Sequence, residues 1–551
     1  MTEHAAIAAM SSRRRWTDAE LLASAGVLGA VLVVGLATVR HYGITTDEFL
    51  FDDFGPKMLD WYVGGFKTTH RYDDEGIVFY GPWFQILVTF AQSLTAADRF
   101  DVRHAMTFIV GLGGLAAVVP IGRLAVGRWA GFTALVLCLL TGNLYGHLFF
   151  SPNDVPFLAA MTWATLAILV MTRREVPSWP ATVCAGLLTG LAIATRVGGV
   201  ITQGYLAAAI VLLALEPLLR DGRAAGRTPC RLGLRAASAL VIGWTVAFAL
   251  WPFVQTAHPL DQFAAALAFF AKVQLEFPFH HWGRVVFANA LPLDYVPGQL
   301  AARLPEGFVI LLVGAIGLGG AAAWMFVAEC RRAAGRRGFA GLAAPLLGLA
   351  RSRGLLVVAL AALAPIAIVM VTRPTLFDGI RHLLFVVPML AVLAAWALRR
   401  LAPLIRRFPI AAAAIVAAQV VPTLVVLWML HPLEYVATNA FAGGTSWSWG
   451  RFDLDYWCAA ATEAIRRLER RLAENPSGEF AARPPRVLVC IPWREHLAAP
   501  MFRADWILET DPGKADFVIE TERAHCATGG RVIDEVRRFD RAFAWTVARR
   551  F

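Results

Sequence analysis

Charge is scarce in this sequence. Only 17% of its 551 residues are Asp, Glu, Lys or Arg, 58% are hydrophobic, and the mean hydropathy is +0.57. Soluble domains carry about 25% charged residues, so an ordinary soluble enzyme is excluded. Cysteine is scarce too. Seven are present, none in CxxC spacing, and Cys138 and Cys184 lie inside apolar runs. That argues against a zinc cluster or a disulfide scaffold. Cys490 and Cys526 can pair if their segment lies outside the cytoplasm, which spacing alone does not decide. Internal repeats and low-complexity tracts are lacking. The net charge of +11 is no nucleic-acid signal, because the basic residues sit in short loops between apolar runs.

What the sequence has in quantity is apolar runs near the roughly 20 residues that cross a bilayer. Arg13, Arg14 and Arg15 precede the first, at 21–39. It is too long for a signal-peptide core and lacks a small-x-small cleavage site, so it reads as an uncleaved span with the N-terminus (1–20) inside. The run at 79–94 is short and contains Pro82 and Gln85. Counting it as a crossing would place Arg123 and Arg128 outside, so it reads as an interfacial helix. Further spans fit near 105–121, 130–148, 157–172, 181–194, 201–218, 237–254, 308–327, 355–371, 383–398 and 410–429. The total is about eleven, with basic linkers 331–353 and 399–407 inside.

The expected architecture is therefore an all-α polytopic membrane domain at 21–430, with outer loops at 40–78 and 255–306. A more polar tail, 431–551, follows outside as a small α/β domain. Its segment 455–472 has helical spacing, whereas 486–491 and 516–520 read as buried strands.

Carboxylates stand where two spans meet the outer surface. Asp47 and Glu48 open the first outer loop, which continues through Asp52, Asp53, Lys57, His70, Arg71, Asp73, Asp74 and Glu75. Asp154 lies in Ser151-Pro152-Asn153-Asp154-Val155-Pro156, just beyond the third span. Arg103, Arg196 and Arg381 lie near outer boundaries. Arg196 interrupts an apolar stretch, where charge costs about 2.5–3.5 kcal/mol at a helix centre and calls for a partner or a wet cavity. Snorkelling to the interface would explain it equally well. Arg381 and His382 open a span on the outer side, against the usual charge bias. His280 and His281, with Trp282, lie in the second outer loop and read chiefly as a structural aromatic turn. Trp447, Trp449, Tyr456 and Trp457 read as interfacial anchors.

In order and topology these motifs resemble the GT-C membrane glycosyltransferases. The branch in question contains the protein O-mannosyltransferases and the lipid A aminoarabinose transferase. Asp47-Glu48 resembles that family's first-loop acidic motif, and residues 151–156 its second, with Asn153 replacing the usual Lys or Leu. Phe377-Asp378-Gly379-Ile380-Arg381-His382 and His431-Pro432-Leu433-Glu434-Tyr435 resemble stretches of bacterial members. The resemblance covers residues 20 to 460. It implies inverting transfer of a sugar from a polyprenyl-phosphate donor to a lipid, glycan or protein acceptor outside a bacterial cytoplasmic (inner) membrane. Asp47, Glu48 and Asp154 would be catalytic. Arg103, Arg196, Arg381 and His382 would bind the donor phosphate, and His280 and His281 would shape the sugar site. Glu48 and Asp154 are also candidate ligands for a divalent cation, Mg or Mn.

The alternatives are a transporter or flippase for a lipid-linked or anionic substrate, and a membrane scaffold whose tail binds partners. A transporter favours charged sites near the midplane and repeated halves with broken helices. This chain instead keeps its polar residues at the outer ends of its spans.

Overall fold

A computed structural model of the chain describes residues 3–66, 76–221, 227–272, 276–474, 483–491, 501–502 and 505–549. Of the first-loop residues, His70, Arg71, Asp73, Asp74 and Glu75 lie outside the described residues.

Apolar runs in lipid must satisfy their backbone groups internally, which makes each one a helix. Nine helices among the described residues are long and apolar enough to cross a membrane, from Ala19–His41 to Pro409–Leu430. Ala130–Leu139 and Gly142–Phe150 are an apolar pair bent by 72°, a tenth crossing when counted as one broken span. The bend tucks the second half against the start of the tail, where a Cβ on Gly146 would collide with the backbone of Tyr435. The eleventh expected span is a shorter helix, Trp179–Ile193, of 15 residues. It packs between Asp154–Met171 and Arg227–Ala249.

The charge pattern sorts the two ends of the bundle. Arg123 approaches Glu20 at 3.4 Å, Arg353 pairs with Glu216 at 2.6 Å, and Arg220 pairs with Glu175 at 3.0 Å. Arg353 also donates to the Thr172 carbonyl, and Arg399 to that of Val126. The basic linkers thus gather at the end opposite the tail.

The 79–94 run forms a helix of 11 residues, shorter than a bilayer crossing needs. Its helix, Trp83–Ser93, packs at the tail-side end on an unexpected element, the 18-residue helix Thr46–Val63. A polar loop was expected there. The helix forms because Thr45 and Glu48 set up a capping box, while Phe49, Phe51, Phe54, Met58 and Trp61 supply a buried face.

The tail carries a five-stranded sheet. With β1 (Pro278–His281) and β2 (Arg284–Phe287) forming a hairpin earlier in the chain, the tail strands are β3 (Arg486–Val489), β4 (Ile507–Leu508), β5 (Phe517–Thr521), β6 (Arg531–Arg538) and β7 (Arg541–Ala548). Their order is β4-β3-β5-β7-β6, parallel from β4 to β5 and antiparallel beyond. The helix Ala460–Ala473 packs against β5, β6 and β7. Cys490 and Cys526 are joined in a disulfide that closes this fold.

Candidate functional site

Of the nine spans, Asp154–Met171 and Arg381–Arg400 are the most enclosed. Both begin at the tail-side end, so the side chains at their first positions, Asp154 and Arg381, are enclosed where the bundle meets the tail. Residues near the axis of a bundle are held by packing on all sides, which suits a site needing fixed geometry.

Asp47 and Glu48 part company within one helical turn. The Glu48 carboxylate accepts hydrogen bonds from the Thr45 backbone N–H (2.9 Å) and from Thr45 Oγ1 (3.0 Å). It is fully buried, with its other oxygen 3.0 Å from His104 Nε2 but not aligned as a hydrogen bond. Asp47 points elsewhere and receives Arg381 Nη1 at 2.5 Å. Its side chain is 31% exposed, whereas that of Asp154 is 5% and that of Asp378 is 6% exposed. Asp47 is therefore the most open of these three carboxylates.

A second acid–arginine pair adjoins the first. Arg196 Nη1 lies 2.5 Å from Asp154 Oδ1, and Ser151 Oγ donates to Asp154 Oδ2 at 3.1 Å. The guanidinium also lies over the rings of Tyr80 and Phe157, at 5.3 and 5.9 Å, in the range where an aromatic face attracts a cation. Arg196 is thus partnered rather than snorkelling. Arg381 interacts electrostatically with Asp154 as well as with Asp47, and Arg196 with Arg381. The two pairs form one cluster.

Arg381 makes further contacts. Its Nε is 3.4 Å from Asp378 Oδ2, and it lies over Phe377 and Trp457 at 4.8 and 5.3 Å. Asp378 sits in a left-handed turn with Gly379, at φ 59° and 69°, which swings its carboxylate back towards Arg381. Burial pushes the Asp378 carboxyl up, against the pull of Arg523 and Arg381. Arg523, from the tail, donates to Asp378 at 2.7 Å and to the Tyr456 carbonyl at 2.8 Å. A chain of alternating charges thus runs Asp47–Arg381–Asp378–Arg523 across the junction with the tail. Asp378 was legible only as part of a motif, and Arg523, 145 residues downstream, carried no signal at all.

The other expected residues fall around or away from this cluster. His382 borders it, its ring edge-on to Phe377 at 4.9 Å. Arg103 is not part of it. Fully buried, Arg103 donates to Gln85 at 2.6 Å and to Asp52 at 3.2 Å, tying three helices together. His281 is buried against Tyr295 and Phe452, and burial lowers its pKa to about 4. His280 bonds Asp453 at 3.0 Å, a contact that raises its pKa. Between β1 and β2, Trp282 and Gly283 both adopt positive φ, the mark of a tight two-residue hairpin turn. Tyr456 and Trp457 are buried at 2% and 1% exposure, so they are core residues and not an interfacial belt.

The divalent-cation expectation for Glu48 and Asp154 does not fit the donor set. Glu48 is committed to its helix cap, and Asp154 to Arg196 and Ser151. No group of three or more His, Cys, Asp or Glu among the described residues could hold a metal. Hard cations such as Mg take several oxygen ligands at once, and here each acid already faces its own partner.

The fold and site together define a polytopic membrane protein with paired acids and arginines where its central helices meet a small α/β tail. Among solved structures, the chain is similar to ArnT from Cupriavidus metallidurans in the apo state. Identity is 16%, 98% of each chain is covered, and the TM-score is 0.47. It is also similar to ArnT from that organism bound to undecaprenyl phosphate (16% identity, 95% of this chain and 98% of that one, TM-score 0.43). A third similarity is to the oligosaccharyltransferase AglB from Archaeoglobus fulgidus in complex with an inhibitory peptide and a dolichol-phosphate. There identity is 12%, 90% of this chain and 69% of that one are covered, and the TM-score is 0.41. No family model and no curated protein matches the chain. At these scores the likeness carries no functional argument, which rests on the residues of the site.

Proposed function

We propose that this chain is an inverting glycosyltransferase of the GT-C type. It moves a sugar from a polyprenyl-phosphate-linked donor to a hydroxyl of a lipid, glycan or protein acceptor. One observation carries the reading: the most accessible carboxylate of the cluster, Asp47, stands against Arg381, with Arg196 within electrostatic range. A phosphate leaving group needs positive charge and no general acid, whereas an acceptor hydroxyl needs one base. The cluster offers both.

In the proposed reaction the donor phosphate engages Arg381 and Arg196 and loosens the hold of Arg381 on Asp47. The acceptor O–H passes its proton to Asp47 as its oxygen bonds to the anomeric carbon. The bond from that carbon to the phosphate oxygen breaks on the opposite face, and its electron pair leaves with polyprenyl phosphate. Asp154 keeps Arg196 aimed, Glu48 fixes the helix turn that presents Asp47, and His382 lines the phosphate side. A transporter would place such charges near the midplane, and these stand at span ends.

The tail-side end would face out of a bacterial cytoplasmic membrane, with the N-terminus inside. The basic linkers at the opposite end support this orientation, as does the Cys490–Cys526 disulfide, a bond that persists in oxidising compartments. The test uses membranes containing the chain and polyprenyl-phosphate-linked sugars. Release of polyprenyl phosphate coupled to sugar transfer is expected. A glycan or glycolipid missing from a deletion strain by mass spectrometry would name the acceptor. No envelope change and no donor turnover would overturn the reading.

A further inference from the structure

Three consecutive tail residues at the end of β5, Thr521, Glu522 and Arg523, all reach the same short segment. Thr521 Oγ1 donates to Cys458 Sγ at 3.4 Å, Glu522 Oε2 accepts from the Asp455 N–H at 2.8 Å, and Arg523 Nη1 donates to the Tyr456 carbonyl at 2.8 Å. The loop that follows is fixed at its far end as well. Glu520 accepts from the Cys526 and Ala527 N–H groups at 3.0 and 2.8 Å, and Cys526 is bonded to Cys490, just after β3. From this held loop Arg523 reaches across the junction to Asp378.

The segment that the loop holds touches both members of the Asp47–Arg381 pair. The Trp457 carbonyl accepts from the Thr46 N–H at 3.3 Å, one residue before Asp47, and the Trp457 ring lies 5.3 Å from the Arg381 guanidinium. Arg523 acts on the pair more directly through Asp378. The two oxygens of this buried carboxylate are divided between two arginines. Oδ1 takes Arg523 at 2.7 Å, while Oδ2 stands 3.4 Å from Arg381 Nε. Arg381 is held closer by Asp47, at 2.5 Å. The tight claim of Arg523 thus leaves Asp378 only a loose hold on Arg381. Without Arg523, Asp378 would have to draw Arg381 onto itself, because a buried charge left uncompensated is costly. Arg381 would then stand away from Asp47 and be harder for a phosphate to claim.

We propose that Arg523 is a positioning residue of the transfer reaction. By occupying Asp378 it keeps Arg381 on Asp47 and available to the donor phosphate, so the tail completes the site instead of merely covering it. This rests on the transferase reading above.

The test measures sugar transfer and undecaprenyl phosphate binding by the full chain in lipid nanodiscs, with melting followed in each variant. Arg523→Ala is expected to lower kcat by about 10–10²-fold, the scale of a small displacement at a reacting group, and to weaken undecaprenyl phosphate binding. Arg523→Lys, which keeps the charge, should restore part of both. In Asp378→Asn no charge remains to capture Arg381, so adding Arg523→Ala should cost less than about threefold more. Arg483→Ala breaks a separate tail ion pair, with Asp516 at 2.7 and 2.9 Å, and should lower melting without slowing transfer per folded molecule. Should Arg523→Ala fail to fold, Arg523→Gln takes its place in every comparison. Unchanged transfer in the Arg523 variant overturns the proposal, as do losses that multiply in full with those of Asp378→Asn, an Arg523→Lys no better than the neutral variant, and equal slowing in Arg483→Ala. If Asp47→Asn still transfers sugar, the transferase mechanism fails, while parallel loss of undecaprenyl phosphate binding in Arg381→Ala and Arg523→Ala upholds the positioning of Arg381. If transfer depends on Asp47 and not on Arg523, only the positioning proposal falls.

Discussion

Two faces of one helix, Thr46–Val63, carry acids of the same kind in opposite settings. On one face Asp47 is partly open and meets a single guanidinium from the start of a central span. On the other, Glu48 and Asp52 are closed in, the first by its own helix cap and His104, the second by Arg103 and Arg99. The difference lies in what each acid can give up. In the proposed reaction an incoming phosphate claims the arginine that Asp47 faces, and its carboxylate is released for chemistry. Asp52 cannot release Arg103 without leaving a charge stranded among helices. On the proposed reading, identical chemistry serves reaction on one face and cohesion on the other.

The largest way to break this contrast is Arg381→Ala. It strips Asp47 and Asp378 of their shared cation and removes charge from the leaving phosphate. Transfer should fall by about 10²–10³-fold or more, the scale seen when one charge-stabilising donor is lost. Arg381→Lys should restore part of it, keeping the charge without the forked geometry. Equal activity in the wild type and Arg381→Ala would remove the arginine from the reaction.

Next comes Asp52→Ala on the cohesive face. It strands the fully buried Arg103 and should cost about 3–5 kcal/mol of stability. Melting in detergent should show the loss, while turnover per folded molecule stays near that of the wild type. If turnover fell with no change in melting, the two faces would not be separate.

Glu522 sharpens the comparison as a partly buried acid, one oxygen fully enclosed, whose hydrogen bonds include none from a cation. Its folded pKa, about 8, lies above the ordinary 4.5, so between those values the folded chain holds a proton that the unfolded chain releases. Stability therefore falls as pH rises through this window. Glu522→Gln should flatten that slope and melt higher than the wild type at pH 8 than at pH 5, relative to each pH's control. Parallel melting curves across the window would contradict it.

The smallest effect is expected from Thr45→Ala. The helix cap loses the hydroxyl contact to Glu48, at a cost of about 0.5–2 kcal/mol, with a modest drop in transfer as Asp47 loosens. A loss of transfer as deep as that of Arg381→Ala would mean that the cap does more than position the helix.

Much of this was legible in the sequence because lipid imposes strong rules. Apolar run length located the helices long enough to cross, and the short run at 79–94 forms a helix of only 11 residues, Trp83–Ser93. The strands at 486–491 and 516–520 followed from apolar runs bounded by turns. The Thr46–Val63 helix was missed although its signal was present: Thr45-Thr46-Asp47-Glu48 is a capping-box sequence, masked by the acidic residues that follow. Asp47, Asp154, Arg196 and Arg381 were legible as charges at span ends, where an unpaired charge is costly. Arg103 met the same criterion and lies instead in a separate buried network with Gln85 and Asp52, because position along a helix does not tell which way a side chain faces. The roles of Asp378, Arg523 and Glu522 depend on contacts between distant segments, and no local pattern encodes those.

The most direct test sets Asp47→Asn beside Glu48→Gln in one transfer assay, with melting measured on both. Asp47→Asn is expected to lower transfer by about 10²–10⁴-fold, the usual contribution of a general base, with little change in melting. Glu48→Gln is expected to keep most of its transfer and to melt lower. Retained transfer in Asp47→Asn, or an equal loss in both at unchanged stability, would contradict the account.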